Sequence, residues 1–475
     1  MGVGSPFVRG VERAARVRLE RYFRDRGYRD ARARTTARVS ARDGRADLSF
    51  SVTEGPLYVV RGVRVEGAHS TRSALVDRAV TIAPGEAAGQ SEVAETERRL
   101  YGLGTFRAAA VRFEAVASTS SQETRAVDAV VEVQEARKYL LRYGLSLSNQ
   151  YEPALGEDLG AVGVAADLRD RNFLGRGLAL GLGAHVEPDM ASIRGLFSMP
   201  RLASLPLRTN VSLTLRKEND TGSSGAQYSD DEANLTLEQR WRPRGWLEVA
   251  WGYSASGRSV EFDIPEPPAT PISFDGILAS LNATAVVDRR NSVFDPTRGW
   301  FYSTSLQWGL QGVGSDFDYL RTLIRGSYYQ PIGPVVLASN ARWGRLQPRG
   351  GIPPLTVFDI FFKAGGTQTV RGYKQDELSA YNALGIPLGG TRLVVFNEEI
   401  RLPIFKIVKG VVFADAGNTF AENAGFSMSA LDVGAGFGIR ITTPLAPVRI
   451  DIGYPVPGRA GLTSPRWHFS IGQMF

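Results

Sequence analysis

The sequence predicts a mainly β chain: a transmembrane antiparallel β-barrel of about 16 strands, preceded by small α+β modules. Three observations predict it. From about residue 138 onward, helical periodicity gives way to segments of roughly 9–12 residues in which apolar residues alternate with small or polar ones. Their apolar faces carry Trp and Tyr near segment ends, while Arg, Asp, Glu, Asn and Gly occupy the opposite face, as a wet lumen requires and a dry core forbids. About sixteen such segments follow one another, and an open sheet of that size would leave unpaired edges costing several kcal/mol per exposed group in lipid. Closure into a barrel removes them.

Ahead of the barrel, the spacing of Val8, Val11, Ala15, Tyr22 and Phe23 predicts a helix over 7–26, stopped by Gly27. Strands over about 29–39 and 46–54 follow, joined by the turn Arg42-Asp43-Gly44. A second unit opens with a strand over Leu57–Glu66. A helix over Ser70–Val80 takes Ser70 or Thr71 as its N-cap, and another covers Ser91–Leu103. Strands at 106–116 and 126–135 close the unit around the loop Ser118–Ser121. The order β-α-α-β-β, preceded by α-β-β, reads as two α+β modules: residues 1–55, with the opening strand missing, and 56–136. Residues 137–475 form the barrel. The stretch Met1–Arg34 has no apolar h-region, so the start reads as incomplete or processed.

The alternation is plain in Tyr139–Leu147, Leu178–Ala184, Leu247–Tyr253, Tyr302–Trp308, Val448–Tyr454 and Trp467–Phe475. In 392–402 it places Glu398 and Glu399 on opposite faces, so one carboxylate belongs near the rim. A long break, about 347–390, separates two strand-like segments. It holds Gly365-Gly366-Thr367-Gln368-Thr369-Val370-Arg371-Gly372-Tyr373, whose glycines predict a compact loop with Arg371 at its tip.

Composition narrows the function. The chain of 475 residues carries a net charge of +7, mostly as scattered arginine, which does not point to nucleic acid. It has no cysteine and three histidines, His69, His185 and His468, far apart and outside any HExxH. Gly434-Ala435-Gly436-Phe437-Gly438 lacks the Lys-Ser/Thr of a phosphate loop; its alternate glycines instead leave lumen space for a folded-in loop. Asn219-Asp220 and Asp230-Asp231-Glu232 read as solvated extracellular loops rather than calcium sites. No catalytic residue, metal site or cofactor is expected.

The paired modules, the loop Val370-Arg371-Gly372-Tyr373 and a last strand ending in Phe475 together resemble the BamA/TamA family of outer-membrane proteins, with periplasmic POTRA domains and a sixteen-stranded barrel. Asp170–Gly177, Asp295–Gly299 and Phe413–Asn418 match it too. The resemblance implies that the loop folds into the lumen and that Arg371 meets Asp415 and Glu399. It implies a weak seam between the first and last strands, about 138–148 and 466–475, around Tyr143, Gly144, Leu145, Phe469 and Ile471, with Phe475 as an assembly signal. It further implies a non-enzymatic factor that folds and inserts barrel proteins, with unfolded outer-membrane proteins and membrane lipids as partners. Accessory periplasmic, lipoprotein or inner-membrane subunits are further candidates. The rival is a two-partner-secretion pore that exports one protein; a passive porin or adhesin leaves the modules unexplained.

Overall fold

The computed structural model describes residues 11–40, 45–116, 123–149, 160–202, 205–221, 227–263, 272–349, 360–379, 389–421, 427–443, 447–456 and 464–471. The expected turns 42–44 and 118–121 and the terminal Phe475 lie outside these residues. The chain divides into one unit of residues 1–140 with 169–180, and a second of 141–168 with 181–475.

In the first unit, α1 (Val11–Arg24) precedes the antiparallel pair β1 (Arg32–Ser40) and β2 (Arg45–Thr53). Next come β3 (Leu57–Glu66), α2 (Ser73–Ala79), α3 (Gln90–Gly102), β4 (Phe106–Ala115) and β5 (Thr124–Glu135). β5 lies between β3, to which it runs parallel, and β4, to which it runs antiparallel. The helices bury Val76 and Leu100 against Phe106, Val131 and Val133. One expectation is corrected. The N-cap of α2 is Arg72, and no side chain caps it. Glu135, 65 residues on from Ser70, instead accepts from the Ser70 and Thr71 N–H groups and from Thr71 Oγ1, at 2.7–2.9 Å. Burial works against its ionisation, but the Thr71 hydroxyl and these N–H groups prevail and hold its carboxyl below the usual carboxylate range. The turn that follows Asn172 joins the same unit: Asn172 Nδ2 donates to Thr71 Oγ1 at 2.9 Å, and Asn172 Oδ1 accepts from Gly177 N at 2.8 Å. Gly175, with φ +69°, leaves no room for a Cβ, which would lie 2.6 Å from Ser70 O.

The second unit is built on sixteen strands in sequential order, β6 to β21, paired antiparallel along every ladder described. They are β6 (Tyr139–Asn149), β7 (Gly160–Phe173), β8 (Leu178–Val186), β9 (Met190–Met199), β10 (Leu207–Thr221), β11 (Gln227–Arg244), β12 (Leu247–Asp263) and β13 (Ile272–Asp288). There follow β14 (Gly299–Gly309), β15 (Asp318–Ile332), β16 (Val335–Arg349), β17 (Arg392–Pro403), β18 (Val408–Phe420), β19 (Asp432–Ile441), β20 (Val448–Pro455) and β21 (Arg466–Ile471). Outward faces are apolar and exposed, with Leu235, Leu237, Trp251, Leu306, Trp308, Val412 and Ile450 among them. A water-soluble sandwich would bury these side chains; a barrel wall presents them to lipid. A strand of about 9–11 residues crosses a bilayer when tilted, so the 17- and 18-residue strands β11 to β13 project beyond it.

Two acidic stretches expected in loops lie in strands. Asn219 and Asp220 belong to β10, and Asp230, Asp231 and Glu232 to β11. Asp230 is buried, accepting from Arg258 Nε at 2.7 Å, and Arg216 pairs with Glu232 at 3.0 Å. Local polarity suggested solvent, but the arginines that neutralise these carboxylates sit on neighbouring strands.

Candidate functional site: a basic hook in the barrel lumen

Within the connection between β16 and β17, residues 360–379 lie inside the barrel. Its neck is closed by reciprocal bonds between Phe362 and Gly390, N to O at 2.9 and 2.7 Å. Positive φ at Gly365 (+110°), Gly366 (+86°) and Gly372 (+97°) makes the tight path possible. Thr369 Oγ1 bridges Gly365 N and Gly365 O at 2.8 and 2.7 Å. Val370 and Tyr373 pack with Phe362, Leu378, Leu393 and Val395 in one apolar cluster, and the Tyr373 hydroxyl donates to Val433 O at 3.3 Å.

Arg371 is completely buried. Its fork meets Asp415 twice, Nε to Oδ2 at 2.7 Å and Nη2 to Oδ1 at 2.9 Å, while Nη1 reaches Glu399 Oε1 at 2.7 Å and Asp451 Oδ2 at 3.4 Å. The backbone N–H of Arg371 also donates to Asp415 Oδ2 at 3.0 Å, and the guanidinium lies over the Phe413 ring, 3.5 Å from its centroid. Burying this cation is unfavourable unless its donors are met, and the planar fork suits paired carboxylates as an ammonium does not. Asn397 Nδ2 contributes to the same knot, donating to Asp415 Oδ1 at 2.9 Å and to Thr369 O at 2.6 Å.

The carboxylates are themselves clamped. Arg401 Nε donates to Glu399 Oε2 at 2.9 Å; Arg440 spans Glu399 at 3.1 Å and Asp451 at 2.5 Å; Arg449 meets Asp451 at 3.2 Å. Four guanidiniums thus face three carboxylates on side chains from the hook and from β17 to β20. The wet lumen expected from alternation is, at this level, an ionic knot packed around the inserted hook.

Small residues make the room. A Cβ on Gly434 would stand 1.7 Å from Arg371 O, and one on Gly453 would stand 2.5 Å from Gly372 N. The structure therefore brings Arg371, Asp415 and Glu399 together, with Val370, Gly372 and Tyr373 beside them. Sequence reasoning passed over Asp451, Arg401, Arg440, Arg449 and His468. A signal for two of these was present, since Arg449 and Asp451 alternate with Val448, Ile450 and Ile452. His468, set aside as isolated, accepts through Nε2 from Gly372 N at 3.0 Å, tying the last strand to the hook. Glu398 takes the opposite face, where Ser339 Oγ donates to it at 2.7 Å.

The expected seam residues occupy the ends of the strand order. β6 and β21 are its terminal strands, and among the described residues no backbone ladder joins them. Tyr143 and Leu145 are 80% and 78% exposed, against 41% and 43% for Leu235 and Leu237 in mid-sheet, as expected of a strand lacking a neighbour on one side. Gly144 lies between them, and Phe469 faces outward. The Ile471 side chain lies outside the described residues.

A sixteen-stranded barrel with an arginine hook inside it defines an outer-membrane barrel protein. Residues 172–475 match the Omp85 superfamily domain, and the chain belongs to that superfamily. It is 27% identical over 474 residues to the outer membrane protein assembly factor BamA of Nitratidesulfovibrio vulgaris, covering 96% of this chain and 56% of that protein. The chain spans about half the length of the curated relatives it matches. Its fold is similar to BamA from Haemophilus ducreyi lacking POTRA domains 1–3, with TM-score 0.76 and 18% identity over 99% of this chain and 95% of that one. It is also similar to CdiB from Acinetobacter baumannii, with TM-score 0.54 and 14% identity over 94% and 78% of the two chains. The protein resides in the outer membrane of a Gram-negative bacterium, with its N-terminal part in the periplasm.

Proposed function

We propose that this chain is the module-and-barrel part of an assembly factor that folds and inserts β-barrel proteins into the outer membrane. Residues 1–55 and 56–136 act as POTRA-type modules that receive unfolded clients. The seam between β6 and β21 opens sideways, and its free edge templates a client strand by β-augmentation. No bond is made or broken; burial of the client's apolar strands in lipid drives the process. Arg371 and its carboxylates hold the barrel in register while the seam works. The partners are unfolded outer-membrane proteins and outer-membrane lipids, with accessory periplasmic, lipoprotein or inner-membrane subunits; nucleic acid has no part.

The observation that carries this reading is the exposed edge of β6 at Tyr143 and Leu145, which no backbone ladder joins to β21 among the described residues. The parent has no cysteine, so an engineered pair of outward-facing positions, Leu145→Cys with Phe469→Cys, tests it without background. The crosslinked protein is expected to stop assembling clients and to recover on reduction; undiminished assembly while crosslinked contradicts the reading. Depletion separates the rival: broad loss of barrel proteins marks an assembly factor, loss of one secreted protein a dedicated pore.

A further inference from the structure

The last strand is held by little. β21 is six residues long, and among the described residues its backbone ladders to β20 alone. Trp467 and Phe469 face outward and are exposed, while His468, between them, is the one buried side chain described on this strand. An end strand with a short ladder opens readily, because few contacts are lost when it does. Its tie to the inside of the barrel is the His468 ring.

That tie reaches over a neighbouring strand. Gly453 on β20 presents no side chain, and a Cβ there would stand 2.5 Å from Gly372 N and 2.9 Å from Gly372 Cα. The main chain of the hook therefore lies flush against β20, and its Gly372 N–H extends to β21, where His468 Nε2 accepts it at 3.0 Å. Because Nε2 accepts, the ring hydrogen sits on Nδ1. Among the described residues Nδ1 has no partner. Asp451, directly opposite His468 on β20, is taken by Arg371, Arg440 and Arg449. The ring is thus fastened at one nitrogen, and a single hydrogen bond separates a tethered last strand from an untethered one.

We propose that His468 is a positioning residue of the seam: its ring locks β21 to the seated hook, and the last strand comes free when that bond breaks or the hook leaves. Its part in client insertion rests on the assembly reading; the lock itself does not. Arg371 and its carboxylates seat the hook, and the seated hook in turn holds the edge strand shut. A client strand arriving between β6 and β21 has one hydrogen bond to break and leaves the ionic knot intact.

Backbone hydrogen exchange of β21 tests the lock, with the full chain in phosphatidylcholine nanodiscs and no client present. His468→Phe keeps a ring and removes the acceptor, and is expected to speed exchange of the β21 amides about tenfold while β17 and β18 stay as in the parent. His468→Gln, whose Oε1 can stand where Nε2 stood, is expected to exchange within about twofold of the parent. Gly434→Ala, which crowds Arg371 O from β19, should free β21 as His468→Phe does, and the two substitutions together should add nothing further. Heat-shifted mobility on gels checks that each variant is a folded barrel. Parent-like exchange in His468→Phe overturns the proposal. Equal loosening by the Phe and Gln variants overturns it too, since the ring then matters only for packing, as does loosening spread evenly around the barrel. Client assembly is measured separately on the same variants: a loosened β21 with unchanged assembly upholds the lock and counts against the seam as the route of insertion.

Discussion

Arg371→Ala is expected to destabilise the folded barrel by about 3–5 kcal/mol, the range for removing one partner of a buried ion pair. The loss should appear as a lower unfolding temperature in detergent and as a fall in client assembly. The arrangement says where it falls. Glu399 keeps Arg401 and Arg440, and Asp451 keeps Arg440 and Arg449. Among the described residues, Asp415 pairs with Arg371 and with no second cation at ion-pair distance. The substitution thus leaves the buried Asp415 carboxyl with Asn397 and backbone N–H for support. Arg371→Lys should fall between the two, because an ammonium keeps the charge and loses the two-point grip on Asp415. Parent-like melting of Arg371→Ala would mean that the hook adds nothing to the barrel.

Gly434→Ala is expected to be the second largest effect, from a single methyl group. The new Cβ would lie 1.7 Å from Arg371 O, a main-chain atom that no rotamer change can move. The hook is held there from both sides, by Arg371 N to Asp415 and by Gly372 N to His468. Either the hook leaves its cradle or β19 shifts, and overpacking of this kind costs about 1–3 kcal/mol or more. Displacing the hook exposes Arg371, so trypsin should cut after it in the folded variant and spare the parent. Gly326→Ala, on the open outer wall, is the matched control and should melt as the parent does. Trypsin resistance in Gly434→Ala equal to the parent's would contradict the close approach.

Much of this architecture is written in short-range pattern. Alternation such as Val448, Ile450 and Ile452 against Arg449 and Asp451 marks both strand and face, because the side-chain period of a strand is two. The hook was legible as glycines around one arginine, and its partners Asp415 and Glu399 through family likeness. What stayed hidden depends on register between strands far apart in sequence. Arg371 and Asp451 are 80 residues apart, and Gly372 and His468 are 96 apart. No local feature of His468 announces that its ring will accept a bond from the hook. The same cause misplaced Asp230, whose partner Arg258 is 28 residues away on the adjoining strand, and the cap of α2, where Glu135 supplies the acceptor.

The most direct measurement is a double-mutant cycle on the hook and its wall. Unfolding free energies would be taken for the parent, Arg371→Ala, Asp415→Asn and the two combined. If the guanidinium is inserted and spent on Asp415, neutralising that carboxylate removes the penalty left by Arg371→Ala. The double variant then unfolds above the Arg371→Ala single, with coupling of about 2–3 kcal/mol. Losses that simply add, with coupling near zero, would show that Arg371 and Asp415 do not meet, and the docked hook would be wrong.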